Sequence, residues 1–158
     1  MAIRLRMRDM WASDSMGTKA ARRVLVVENH VDTRTYLVLC LQECGYEVES
    51  AHGMLEALAL LKTRIFDVLI SDLGLGDGDG WRLLDLAGAN RPPYAIAMSG
   101  FGTQKDRQKS MDVGYQHHLV KPFSGAELRQ LMKEAESMLD ATASQTRSVS
   151  EHEIPKSL

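Results

Sequence analysis

The chain has 158 residues, 44% hydrophobic and 25% charged, which fits one ordinary globular domain and excludes a wholly disordered chain. Such a length buries roughly two thirds of the unfolded surface, so folding needs neither disulfides nor a structural metal. A net charge of −2, from 19 basic and 21 acidic side chains, argues against direct nucleic-acid contact, and no apolar run reaches the roughly 18 residues of a membrane span, so a cytoplasmic protein is expected.

Residues 1–22 set Arg4, Arg6 and Arg8 among scattered Ser, Gly and Met without a helical period, and read as a solvated leader. The alternation of Ile3, Leu5 and Met7 leaves open a strand added to a partner. Val24 to Val27 is a continuous apolar run suited to a strand buried on both faces of a parallel sheet. Leu37, Cys40, Leu41 and Cys44 then follow i, i+3, i+4, i+7, which predicts a helix closed by Gly45 as a left-handed cap. On that helix Cys40 and Cys44 share a face as small core hydrophobes. Tyr46 to Ser50 reads as a strand, and Met54, Ala57, Leu58 and Leu61 repeat the helical spacing. Val68 to Ile70 is a second buried run, Trp81 to Ala87 a short helix, and Ala95 to Met98 a weaker strand. Gln104 to Val113 is a weakly amphipathic helix, and Leu128, Leu131, Met132, Ala135 and Leu139 mark the last one. From 141 to 158 the sequence is polar and aperiodic, and a flexible tail is expected. Five β-α repeats across 23–140, joined by right-handed crossovers, predict a doubly wound five-stranded parallel sheet with helices on both faces.

In such folds ligands sit beyond the carboxyl ends of the strands. Glu28, Asn29 and His30 follow the first strand, Asp72 follows the third, Ser99 and Gly100 follow the fourth, and Lys121-Pro122 follows the fifth. An acidic group, a carboxylate nucleophile, a hydroxyl and an ammonium are what phosphoryl capture on a carboxylate requires: a hard cation offsets charge on the phosphoryl oxygens, the hydroxyl donates a hydrogen bond, and the ammonium neutralises the remainder. The segments VLVVENH, DVLISDLGLGDGDGW, AIAMSG and HHLVKPF, in that order at strand ends, resemble the signature segments of the response regulator receiver domain. The resemblance covers Arg23 to about Leu139 and implies a flavodoxin-like (βα)5 fold.

Residue by residue, it implies that Asp72 is the phosphoacceptor, Glu28 and Asn29 the acidic pair, Ser99 the switch hydroxyl and Lys121 the conserved-type lysine of the family motif. It further implies Mg²⁺ held by Glu28, Asn29, Asp72 and the Gly74 carbonyl, a cis bond at Lys121-Pro122, and His118 at the position of an aromatic switch residue. Two departures stand out. Asn29 occupies the place of a second acid and brings no charge, so weaker Mg²⁺ binding is expected. Gly76 stands where the family often has proline, which adds backbone freedom to that loop. Asp77 and Asp79 lack the EF-hand spacing and read as part of a glycine-rich turn. His30, His52, His117 and His118 show no ligand spacing, and surface or switch roles are preferred.

The leading expectation is a phosphoacceptor, not itself an enzyme, that assists its own phosphorylation and dephosphorylation. Its partners are a sensor histidine kinase or phosphotransfer protein and a downstream protein target, with neither nucleic acid nor membrane contacted directly. A pseudo-receiver that binds without phosphorylation is the alternative favoured by Asn29, and a receiver fragment of a hybrid histidine kinase or larger regulator is a further one. A flavodoxin-type electron carrier or an aspartyl phosphatase is disfavoured, because no glycine-rich phosphate loop follows the first strand.

Overall fold

The computed structural model describes residues 19–150. Five strands, β1 (Arg23–Val27), β2 (Glu47–Ala51), β3 (Val68–Asp72), β4 (Tyr94–Ser99) and β5 (His117–Val120), form one all-parallel sheet in the order β2-β1-β3-β4-β5. Helices α1 (Val31–Glu43), α2 (Met54–Thr63), α3 (Gly80–Ala87), α4 (Gln104–Val113) and α5 (Gly125–Ser150) make the connections. This is the doubly wound, flavodoxin-like architecture expected from the repeat. Among the described residues no helix is long and apolar enough to cross a membrane.

The continuous apolar runs reflect burial on both sheet faces, because successive side chains point to opposite sides. Val24, Val26, Val68, Ile70, Ile96 and Met98 pack with Leu37 and Leu41 of α1 and Leu128, Met132, Ala135 and Leu139 of α5. Leu25, Val27, Leu69, Ala95 and Ala97 face the other way, onto Ala57 and Leu61 of α2 and Leu83, Leu84 and Ala87 of α3.

The last turn of α1 closes as a Schellman motif. Gly45, at φ +91°, donates its N–H to the Gln42 carbonyl (2.9 Å), and Tyr46 donates to the Leu41 carbonyl (3.1 Å). The reading of Cys44 as a core residue is corrected: the helix ends at Glu43, so Cys44 is the cap and is exposed, while Cys40 is half-buried. Thr103 Oγ1 caps α4 by accepting the Asp106 N–H and donates to the Asp106 carboxylate, and Ser124 and Glu127 form a reciprocal cap on α5.

Both ends of the domain differ from expectation. Residues 141–150, read as tail, continue α5, because no Gly or Pro interrupts the run; Thr142 and Ser144 turn their hydroxyls back onto the Met138 and Asp140 carbonyls of the preceding turn. Of the leader, Lys19 and Arg22 pair with Glu136 and Asp140 of α5, with Arg22 Nε 3.0 Å from Glu136. The strand-or-arm reading of Ile3, Leu5 and Met7, and the tail beyond Ser150, lie outside the described residues.

The loop after β3 folds back on the sheet. Gly74–Leu75 pairs antiparallel with Gly78–Asp79, and Gly80 lies so close to the Asp72 carbonyl that a Cβ there would sit 2.6 Å from it. The Asp77 carboxylate accepts the N–H groups of Met54 (2.7 Å) and Leu55 (2.9 Å), which supplies the cap that Gly53 cannot give to α2. The loop in which Gly76 adds backbone freedom is thus fastened at its tip. Those two N–H groups hold the Asp77 carboxyl below its ordinary value. Its stabilising contribution is therefore full above the unfolded carboxylate range and is lost as pH falls through the depressed folded value. We expect Asp77→Ala to melt at a lower temperature than the parent at pH 7, with the gap narrowing on acidification. A thermal melt series from pH 7 to pH 3 reads it, and a constant gap contradicts the charged cap.

Candidate functional site

The register of the sheet assembles the site. Asp72, last in β3, pairs with Met98, and Ser99 pairs with Val120, so the end of β5 lies one step beyond the end of β3. Lys121 N–H donates to the Ser99 carbonyl (2.8 Å), and Leu73 N–H to the Met98 carbonyl (2.8 Å). At the other side Glu28 N–H donates to the Ala51 carbonyl (3.1 Å), which carries the hydrogen-bond ladder one residue past β1. The Lys121-Pro122 bond is cis, as the resemblance implied.

Lys121 joins the two buried carboxylates. Its Nζ lies 2.7 Å from Asp72 Oδ2 and 2.5 Å from Glu28 Oε2. The Glu28 side chain is 0% exposed and that of Asp72 9%, against 22% for Lys121. The remaining oxygens are also engaged: Gly74 N–H donates to Asp72 Oδ1 (3.0 Å), and His30 N–H to Glu28 Oε1 (3.0 Å). Burial by itself would raise the Glu28 carboxyl, but the Lys121 bond and the His30 N–H outweigh it and hold the group below its ordinary value. Burial likewise disfavours the Lys121 ammonium, and the bonds from Asp72 and Glu28 overcome that and raise it.

A pocket of about 500 Å³ opens over Asp72, lined by His30, Gly74, Trp81, Ser99, Phe101, Asp106 and Lys121 among others. Glu28, Asp72 and Lys121 are therefore brought together, and Ser99 shares the pocket. The Ser99 hydroxyl, however, is turned away from Asp72: it donates to the Phe101 carbonyl and lies 2.6 Å from His118 Nε2. Burial and the neighbouring Arg107 lower the His118 pKa, against the charge and backbone of Asp106, and this lowering favours the neutral ring.

Asn29 is exposed beside Glu28, and His30 lines the pocket. Glu28, His30 and Asp72 each offer a ligand atom, and these lie within 4.8 Å of one another. Two carboxylates facing one ammonium leave an excess of negative charge, and an oxygen-rich donor set of this kind suits a hard divalent cation. The sequence placed His30 after the first strand with a surface or switch role, and gave no site role to Trp81, Phe101 or Asp106. Only His30, three residues beyond the end of β1, carried a positional signal.

The charge cluster makes a quantitative expectation. Lys121→Met strands Glu28 as a buried carboxylate and costs about 2–3 kcal/mol at pH 7, less than for a fully enclosed pair because Lys121 is partly solvated. Without its partner Glu28 takes up a proton more readily, so the loss shrinks as pH falls toward 5. Urea unfolding at the two pH values measures this, and an equal loss at both contradicts it.

A family model of the response regulator receiver domain matches residues 24–133. The chain is 35% identical over 107 residues to the transcriptional regulatory protein CusR of Escherichia coli K12, covering 67% of this chain and 47% of CusR. It thus spans about half the length of that relative. It is 32% identical over 123 residues to an uncharacterized 14.6 kDa protein of Leptolyngbya boryana, covering 75% of this chain and 93% of that protein. Among solved structures, the chemotaxis protein CheY4 of Vibrio cholerae superposes with a TM-score of 0.70 at 28% identity, covering 73% of this chain and 99% of its own. By the extent of the sequence match and by its fold, the chain belongs to the response regulator receiver domain family.

Proposed function

We propose that the chain is a phosphoacceptor of a two-component phosphorelay. Asp72 takes a phosphoryl group from a phosphohistidine on a sensor histidine kinase or phosphotransfer protein, and the signal leaves by contact with a downstream protein in the cytoplasm, without direct contact to nucleic acid or membrane. The observation that carries this reading is the Lys121 ammonium, 2.7 Å from Asp72 Oδ2, at the floor of a pocket that Ser99 also lines.

In the transfer an Asp72 carboxylate oxygen attacks phosphorus in line with the phosphoimidazole. A P–O bond forms as the P–N bond breaks, and the departing imidazole nitrogen keeps the electron pair and takes a proton from solvent. Lys121 offsets charge on the phosphoryl oxygens, and the Ser99 hydroxyl, once turned toward Asp72, donates to one of them. Glu28, Asp72, the Asn29 amide oxygen and the Gly74 carbonyl would hold Mg²⁺, which when bound neutralises charge on the phosphoryl group in flight. The module is not an enzyme with a separate substrate; the same groups assist both gain and loss of its own phosphoryl group.

Asn29 favours a second reading, a pseudo-receiver that binds partners without phosphorylation. The two separate cleanly. A small phosphodonor with Mg²⁺ should add one base-labile phosphoryl group to the parent, read by intact mass, and none to Asp72→Asn. An unlabelled parent, or a labelled Asp72→Asn, leaves the pseudo-receiver standing.

The charge deficit at Asn29 gives a further expectation. Asn29→Asp crowds a third carboxylate against Glu28 and Asp72, which repel without a cation and gain when one binds. The variant should melt lower than the parent in chelator and rise more steeply with Mg²⁺, because a ligand of the native state stabilises by mass action. Equal Mg²⁺ slopes at fixed ionic strength remove Asn29 from the metal site.

A further inference from the structure

Ser110 of α4 is fully buried and has no part in the phosphoryl chemistry described above. Its hydroxyl lies 2.9 Å from Trp81 Nε1 and 3.2 Å from His118 Nδ1. The opposite ring nitrogen of His118 is 2.6 Å from Ser99 Oγ, which in turn reaches the Phe101 carbonyl. Five groups from α3, α4, β5, β4 and the loop after β4 therefore form one continuous chain of hydrogen bonds.

The two ends of that chain have fixed roles. An indole N–H only donates, and a backbone carbonyl only accepts. Ser110 Oγ accepts from Trp81 and keeps its own proton available for His118 Nδ1. With Nδ1 an acceptor, the neutral ring carries its proton on Nε2 and donates it to Ser99 Oγ. The single proton of Ser99 then goes to the Phe101 carbonyl. The reverse direction aims the Ser99 proton at His118, which leaves the Ser99 oxygen against the Phe101 carbonyl with no hydrogen between them. The Phe101 carbonyl, which only accepts, thus selects one direction for the whole chain.

We propose that Ser110 and Trp81 are positioning residues: they lock His118 in the Nε2–H tautomer, and the locked ring holds the Ser99 hydroxyl on Phe101 and away from Asp72. The regulatory half of this proposal rests on the reading of Asp72 as phosphoacceptor; the tautomer half does not. Trp81 joins the chain to the pocket, because its ring also lines the space over Asp72 and carries the Lys109 ammonium 3.8 Å from its centroid. To reach a phosphoryl oxygen, Ser99 has to leave both Phe101 and His118, so each link that holds His118 adds to the cost of leaving. Phosphorylation then selects the minority of molecules in which the hydroxyl has already turned.

The test uses the full chain labelled with ¹⁵N in its histidine rings, unphosphorylated, at a pH where His118 is neutral, with the His118 signals assigned by their loss in His118→Phe. The parent is expected to show an unprotonated Nδ1 and a protonated Nε2. Ser110→Ala should move both nitrogens toward tautomer-averaged shifts, Ser110→Thr should restore the parent pattern, and Trp81→Phe should shift them in the same direction as Ser110→Ala. A protonated Nδ1 in the parent, or ring signals indifferent to Ser110→Ala, overturns the proposal. In a parallel arm a small acyl phosphate with Mg²⁺ labels each variant. Loss of one hydrogen bond from the held state should speed uptake roughly three- to tenfold in Ser110→Ala. An unchanged rate in a parent that does label overturns the regulatory role, whereas a parent that never labels overturns the Asp72 reading and leaves the tautomer result to judge the positioning claim.

Discussion

Glu28 is a carboxylate with no solvent exposure, and a buried charge of that kind persists only where a cation and hydrogen-bond donors replace the lost water. Here the cation is Lys121, ninety-three positions further along the chain, and the donor is the His30 N–H. The same ammonium also holds Asp72. The charge cluster therefore ties the ends of β1, β3 and β5 to one point. It also leaves negative charge in excess, which is the condition for attracting a divalent cation.

Around this point the backbone has little slack. Gly80 admits the Asp72 carbonyl where a side chain would collide, and the buried Tyr115 hydroxyl donates to the Gly80 carbonyl (2.5 Å). Asp77 anchors the far side of the same loop to the start of α2. The loop carrying the Gly74 carbonyl is thus held from the sheet, from β5's neighbourhood and from the adjacent helix. A glycine-rich sequence here accompanies close approach and fastening.

The fourth strand end differs from the other three. Ser99 is placed by the ladder, since its carbonyl takes the Lys121 N–H, yet its hydroxyl belongs to a separate chain of partners in Phe101, His118, Ser110 and Trp81. Backbone position and side-chain direction are set by different interactions. That separation is what allows a side chain to turn while the sheet stays still.

The five strands, the alternation with helices and the meeting of Glu28, Asp72, Ser99 and Lys121 at one edge were legible in the sequence. The reasons are local: buried parallel strands read as unbroken apolar runs, helices as 3.6-residue spacing, and the ends of parallel strands on one sheet must lie on the same side. The Ser124 and Glu127 cap was equally available in the sequence, since its spacing is a local signal. What the sequence left open depends on contacts between residues far apart. Cys44 had core spacing but fell beyond the last helical turn, and the polar run from 141 to 150 stayed helical because no Gly or Pro interrupts it. Asp77 reaches α2, and Trp81, Ser110 and His118 meet across three elements; no periodicity relates such positions, because the distances between them are set by how helices pack on the sheet. Composition and pattern determined which backbone this chain builds and which charges sit at its edge, whereas packing decided where each hydroxyl and ring nitrogen points, since that direction is fixed only when a partner arrives from elsewhere in the chain.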